Sequence, residues 1–190
     1  MMEQEQRQPL SCETSNRRHM YWWMHGRCNF SCEYCFRQSD HTDMPPGEAE
    51  CGPHTAEQVV RRFDETGKLW HVYMTGGEPF LYPDFIGIAE GLTRRHSISF
   101  STNLSRAEVT RFADCVDRRR VVSIDVSLHI QEREKLSHGV RELVENLRYL
   151  QDHEFAVRLL YVAYPPLLSR MREDFERLRA EGIRRIRSEE

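Results

Sequence analysis

The chain begins without the apolar core of an export signal. Residues Met1 to His19 are rich in Gln, Glu and Arg and are expected to form a flexible leader rather than a secretory segment. Net positive charge is missing too: 27 Lys and Arg stand against 30 Asp and Glu, a formal net charge of -3. That balance excludes the broad basic footprint of a nucleic-acid binder. The short runs Arg118-Arg119-Arg120 and Arg184-Arg185 lie near acidic residues and read as solvated faces. No segment argues for a membrane role, and a sequence with no export signal is expected in the cytoplasm, where thiols stay reduced.

A second cysteine knuckle is also lacking. Structural zinc sites usually pair two knuckles, each with ligands two to four residues apart. Here only one cluster exists, Cys28, Cys32 and Cys35 within Cys-Asn-Phe-Ser-Cys-Glu-Tyr-Cys, while Cys12, Cys51 and Cys115 are isolated and read as free thiols. A zinc site would need a fourth ligand from His19, His25 or His41. Three thiolates on one tight turn suit an iron-sulfur cube better, because they ligate three irons and leave the fourth open to a cofactor. A second motif, Thr75-Gly76-Gly77-Glu78-Pro79, follows about forty residues later.

With 190 residues, 39% hydrophobic and 30% charged, the chain fits one domain, taken as residues 20 to 190. Short apolar or β-branched runs alternate with stretches of helical period, the pattern of βα units on a parallel sheet. Six strands are predicted: Met20 to Met24, His71 to Thr75, Ser97 to Ser101, Val121 to Ser127, Phe155 to Val162 and Ile183 to Arg187. A capping box, Thr55 with Gln58, and a stop at Gly67 predict a helix over 56–66. Pro83-Asp84 opens a second. Ser105 with Glu108 repeats the box before Val109, Phe112 and Val116. Val140, Leu143, Val144, Leu147 and Leu150 trace an apolar helix face, and Phe175 and Leu178 mark a fifth helix. Residues 36 to 54, with Pro45-Pro46-Gly47 and Cys51-Gly52-Pro53, read as a long loop.

Parallel strands joined by helical crossovers curl into a barrel whose C-terminal strand ends gather the chemistry. The cysteine loop, Gly-Gly-Glu-Pro, Thr102-Asn103, Ser127-Leu128-His129 and Tyr164-Pro165-Pro166 all follow successive strands and are expected on one rim.

Through Cys28-x3-Cys32-x2-Cys35, the aromatic Tyr34 and Gly76-Gly77-Glu78-Pro79, the sequence resembles the radical S-adenosylmethionine superfamily over about Met20 to Arg187. The resemblance implies an α/β fold, a partial (βα)6 barrel open at one side. It also implies a [4Fe-4S] cluster on the three cysteines, with S-adenosylmethionine chelating the open iron. Reductive cleavage of the cofactor would give a 5′-deoxyadenosyl radical that takes hydrogen from a peptide or small-molecule substrate. An electron donor such as flavodoxin or ferredoxin is implied with it. Gly76 and Gly77 would let backbone approach the methionyl ammonium, Glu78 would add an anionic acceptor, and Tyr34 would lie against the adenine. Thr102 and Ser127 are placed as hydroxyl contacts to the cofactor carboxylate or ribose.

Other residues carry two readings each. Asn103 is a cofactor contact or a turn residue, and Val162 and Ala163 flank the adenine or fill core. His129 and Glu132 face the barrel mouth or solvent, and Trp22, Trp23 and Phe36 dry the cluster or simply pack. The sequence ends at Glu190 soon after the sixth predicted strand. This leaves open a minimal enzyme, a fragment, or a barrel completed by a partner. Two other functions stay open as well: an activase for a glycyl-radical partner, and a non-catalytic iron-sulfur or zinc module.

Overall fold

The computed structural model describes residues 17–35, 54–183 and 186–189, the last stretch by its backbone. The expected loop over 36–53, with Phe36, His41 and Cys51, lies outside the described residues, as does Cys12. Six strands form one sheet in the order β1-β2-β3-β4-β5-β6, and every neighbouring pair is parallel. They are β1 (Arg18–Trp23), β2 (Trp70–Thr75), β3 (Ser97–Thr102), β4 (Val121–Ser127), β5 (Val157–Val162) and β6 (Ile186–Glu189). Between them run α1 (Ala56–Glu65), α2 (Phe85–Thr93), α3 (Val109–Cys115), α4 (Ile130–Glu134), α5 (Gly139–Asp152) and α6 (Met171–Ala180). Sequential order with parallel pairing is the parallel sheet that the alternating pattern predicts and the partial (βα)6 barrel that the resemblance implies.

Four strand starts differ from expectation: β2 opens one residue early, at Trp70, and the other three differ for identifiable reasons. β1 begins at Arg18, inside the expected leader, because Arg18 N–H donates to Leu69 O at 2.9 Å and extends the ladder. Phe155 and Ile183 were expected to open strands but instead close helices. Each follows a residue with positive φ, Glu154 at 59° and Gly182 at 89°, and each donates its N–H to a carbonyl five residues back, Leu150 O and Leu178 O at 3.0 Å. Both are the hydrophobic residue just past a left-handed helix cap, buried against the helix it ends. In sequence such a residue looks like the start of a strand.

The capping box at Thr55 and Gln58 is present, with Thr55 Oγ1 accepting from Gln58 N at 3.3 Å. The second box is absent. α3 starts only at Val109, Glu108 pairs with Arg106 at 2.8 Å, and the Ser105 hydroxyl donates to Asn103 Oδ1 at 2.6 Å. The rim of β3 thus takes Ser105 away from the helix. Asp84 opens α2 at φ 61° and its carboxylate accepts from Ala56 N at 2.8 Å, so one loop residue ties two helix starts together.

The two faces of the sheet differ chemically. On the helix side, Val72, Met74, Ile98, Phe100, Ile124 and Val126 are at most 0% exposed. Phe100 also meets Phe80, Phe85 and Phe112 at ring separations of 5.2–6.1 Å, mostly edge to face. The alternate positions, His71, Tyr73, Ser97, Ser99, Ser101, Ser123, Asp125 and Ser127, are polar. A closed barrel fills its interior with branched apolar layers; the concave face here is lined by hydrogen-bonding groups.

Candidate functional site

The cysteine loop leaves the end of β1, and the Gly-Gly-Glu-Pro loop leaves the end of β2 beside it. Backbone ties continue the sheet upward between them: Met24 N to Thr75 O at 2.9 Å, then Gly77 N to His25 O and Glu78 N to Arg27 O, both at 2.8 Å. Both glycines are required by this contact. Gly76 sits at φ 130°, and a Cβ on Gly77 would lie 1.8 Å from Arg27 O. His25, buried under the junction, accepts from Arg27 N at Nδ1 (3.0 Å), so its protonated Nε2 donates to Glu78 O (3.1 Å). With both ring nitrogens committed to backbone, His25 is no zinc ligand in this arrangement. His19 lies in the first half of β1, away from the thiols.

Glu78 is fully buried and its carboxylate is held by the chain itself. Thr102 Oγ1 donates to Oε1 at 2.7 Å, Phe80 N to Oε1 at 3.2 Å and Asn103 N to Oε2 at 2.7 Å. Burial nevertheless pushes its pKa up to about 7, against the opposing pull of these donors and of Arg133. Thr102 shares its side of β3 with Ile98 and Phe100, which is why its hydroxyl meets Glu78 in the helix-side layer. The same oxygen accepts from Leu104 N at 2.9 Å. Ser127, on the opposite parity with Asp125, ends β4 half-buried.

Cys28 is exposed, Cys35 half-buried and Cys32 buried. Cys35 N donates to Cys32 O at 3.0 Å, a single tight turn. Burial raises the Cys28 thiol and pushes Cys32 up to about 11; the charges of Glu78 and Cys35 raise Cys28 further, and those of Glu132, Cys28 and Cys35 raise Cys32. Three thiols on one turn are a donor set that suits a cationic centre, which binds them as thiolates. Among the described residues they do not form a closed ligand set as they stand.

Side chains from β3 and β4 fix this loop. Asn103 Nδ2 donates to Asn29 Oδ1 at 2.9 Å and lies 3.8 Å from Cys28 Sγ. Its side-chain oxygen accepts from Ser105 N at 3.0 Å, the geometry of the turn reading of Asn103. His129, at φ 45°, stacks on Tyr34 and meets the edge of Phe30. Desolvation pushes its pKa down to about 4, and the neutral ring is hydrogen-bonded at Nδ1 to the Tyr34 hydroxyl (2.9 Å), with Cys32 Sγ at 3.4 Å. Glu132 accepts from Ser31 N at 3.2 Å and from Lys135. Tyr34 also packs on Tyr164, 5.0 Å between rings. Trp22 packs against the core through Tyr82; Val162 and Ala163 are half-buried at the end of β5.

Sequence reasoning missed Arg133. It is 0% exposed and lies on α4, a five-residue helix too short to show a period. Its guanidinium donates to Leu128 O (2.6 Å), Gly139 O (3.3 Å) and Asn103 O, and covers the Phe30 ring at 5.5 Å. One cation therefore clamps the ends of β3 and β4 to the cysteine loop. Burial pulls its pKa down to about 10, with Glu142 and Glu78 opposing. The only sequence signal was an arginine four residues after His129.

A parallel six-stranded sheet with a three-cysteine turn and a glycine-rich turn side by side on its C-terminal rim defines the class, and the sequence profile of the radical SAM superfamily matches residues 24–186. The chain belongs to that superfamily, which works with a [4Fe-4S] cluster and S-adenosylmethionine. Over 77 residues it is 35% identical to a probable GTP 3′,8-cyclase of Methanopyrus kandleri, covering 40% of this chain and 24% of that protein. Over 102 residues it is 30% identical to the mycofactocin maturase MftC of Mycobacterium ulcerans, covering 50% and 26%. The chain thus spans about a quarter of the length of these curated relatives. Among solved structures, Streptococcus suis SuiB bound to precursor peptide SuiA superposes with a TM-score of 0.63 at 15% identity, over 92% of this chain and 39% of SuiB. Native anSMEcpe with bound AdoMet superposes at 0.61 and 15%, over 90% and 50%. These two likenesses concern the fold. Among the described residues no helix is long and apolar enough to cross a membrane.

Proposed function

We propose that Cys28, Cys32 and Cys35 hold a [4Fe-4S] cluster, that S-adenosylmethionine completes its open iron, and that the chain cleaves this cofactor reductively to start radical chemistry. The observation that carries the reading is the backbone pairing of the two motif loops, Gly77 N to His25 O and Glu78 N to Arg27 O. It brings the thiol-bearing turn and the side-chain-free turn together on one rim. When bound, cluster and cofactor supply an electron, carbon-sulfur cleavage and a 5′-deoxyadenosyl radical that takes hydrogen from substrate.

The protein's residues then divide by role. Tyr34 and Ser127 contact the cofactor, together with the Gly76-Gly77 backbone. Glu78 and Thr102 are positioning residues: their hydrogen bonds to one another and to Asn103 hold the ends of β2 and β3 at fixed spacing beneath the cofactor. His129 fixes the Tyr34 ring. The buried Arg133 holds the loop closed from the β4 side and helps keep Glu78 compatible with burial.

The substrate is a peptide or small molecule. A relative named for GTP and a neighbour captured with a precursor peptide make both plausible for this fold. Reduction would come from a flavodoxin or ferredoxin in the cytoplasm. Anaerobic reconstitution with iron, sulfide, dithionite and S-adenosylmethionine is expected to yield 5′-deoxyadenosine and methionine. A chain that assembles its cluster and forms neither would end this reading.

A further inference from the structure

Cys32 is set apart from Cys28 by what surrounds its sulfur. Cys28 Sγ accepts the Phe30 N–H at 3.4 Å, a bond made within the cysteine turn, with Asn103 Nδ2 further off at 3.8 Å. Cys32 is met by two side chains at once, one of them from the end of β4. His129 Nδ1 lies 3.4 Å from Cys32 Sγ and 2.9 Å from the Tyr34 hydroxyl, and that hydroxyl is itself hydrogen-bonded to the Cys32 sulfur. Sulfur, phenol and imidazole thus form a closed triangle. Aromatic rings hold it from outside: His129 stacks on Tyr34 at 5.8 Å and meets Phe30 edge-on at 6.0 Å, while Tyr34 also packs on Tyr164 at 5.0 Å. His129 enters the triangle from a left-handed backbone, φ 45°.

The triangle gains a definite direction once its sulfur is a metal-bound thiolate. Such a sulfur carries no proton and can only accept, whereas the Tyr34 hydroxyl and one ring nitrogen of His129 each carry one. With the His129 proton on Nδ1, both protons point inward: the phenol donates to sulfur, and the imidazole N–H is shared between sulfur and the phenol oxygen. A hydrogen bond to a ligating sulfur draws negative charge off it, so it stabilises the reduced, more negative state of a cluster more than the oxidised one. Among the rings of Phe30, Tyr34 and Tyr164 the effective dielectric is low, and the bond counts for more than it would in water. Packing a ring against a cofactor needs no hydroxyl. The Tyr34 hydroxyl therefore calls for a partner beyond the cofactor, and the Cys32 sulfur lies beside it.

We propose that Tyr34 and His129 are positioning residues that raise the reduction potential of the cluster through hydrogen bonds to the Cys32 sulfur. The inference rests on the reading that the three cysteines hold a [4Fe-4S] cluster, and gives the Tyr34 hydroxyl and His129 a role beyond packing. A redox titration of the anaerobically reconstituted chain, followed by electron paramagnetic resonance without S-adenosylmethionine, tests it with no turnover in the readout. One electron passes from dithionite, which is oxidised, to the cluster, and no bond in the protein is made or broken. Tyr34→Phe keeps the ring and its stacking and loses only the hydroxyl; it is expected to lower the one-electron reduction equilibrium about tenfold, a midpoint about 59 mV more negative. His129→Leu should shift the midpoint in the same direction, and Leu104 at φ 53° shows that this backbone conformation carries leucine in this fold. His129→Asn should restore most of the original midpoint, because asparagine suits a left-handed backbone and its amide nitrogen stands as many bonds from Cα as Nδ1 does. Acid-labile sulfide verifies cluster loading in each variant. A loaded cluster whose midpoint is unmoved or more positive in Tyr34→Phe, or one that His129→Asn displaces as far as His129→Leu, would overturn the inference and leave the enzymatic reading intact. A wild-type chain that assembles no cluster would overturn both.

Discussion

The two motif loops sit side by side and are held by opposite means. Gly-Gly-Glu-Pro is complete in itself: its amides pair with residues 25 and 27, its glycines fill the only space available, and all donors around Glu78 come from the chain. The cysteine loop is held through neighbours, Asn29 by Asn103, Tyr34 by His129 and Phe30 by Arg133, and burial disfavours ionisation of Cys28 and Cys32. One loop is scaffold; the other is a display that gains its missing interactions from what binds to it.

Substitutions should separate the two. Replacing Cys28, Cys32 or Cys35 by Ala is expected to abolish cluster absorbance and cofactor cleavage entirely while changing the stability of the cluster-free chain by less than about 1 kcal/mol. Cys115→Ala, an exposed thiol, should leave all of these intact. A cysteine variant that unfolds the chain would show that the display is structural after all. Next in size, Arg133→Met leaves three buried carbonyls without their donor and should cost about 3–5 kcal/mol in denaturant melts of the cluster-free protein. Gly77→Ala drives a methyl into Arg27 O and should cost about 3 kcal/mol. Finding Gly77→Ala neutral would mean the two loops are not pressed together.

Glu78 sharpens the comparison through pH. Its pKa rises from 4.5 to about 7 on folding, so the folded state holds a proton that the unfolded state has released between those values. Stability from this group is fully present below about pH 4.5 and is lost as pH rises through about 7. Glu78→Gln should flatten that decline, which unfolding curves at pH 5 and pH 7.5 would measure. A decline that persists in the variant would assign it to another group.

Much of this was legible beforehand. Short apolar and β-branched runs between helical stretches located the strands, the Thr55–Gln58 box located α1, and cysteine spacing with Gly-Gly-Glu-Pro identified the rim. What escaped notice came from long-range pairing that no local pattern carries. Phe155 and Ile183 look like strand residues because a helix-capping hydrophobe and a strand opener are the same residue type. Thr102 reads as a rim hydroxyl until strand parity puts it beside Glu78. Arg133 is one arginine among many in sequence and is distinguished only by the three carbonyls that converge on it. The polar inner face was written in the alternation Ser97-Ile98-Ser99-Phe100-Ser101, visible once both parities are followed.

The most direct test of the central claim is the electron paramagnetic resonance spectrum of the reduced, reconstituted chain with and without S-adenosylmethionine. A single [4Fe-4S] signal whose g-values move when the cofactor is added, and which is missing in Cys32→Ala, is the predicted result. A signal indifferent to the cofactor, or stoichiometric zinc with no sulfide in anaerobically purified protein, would contradict the account.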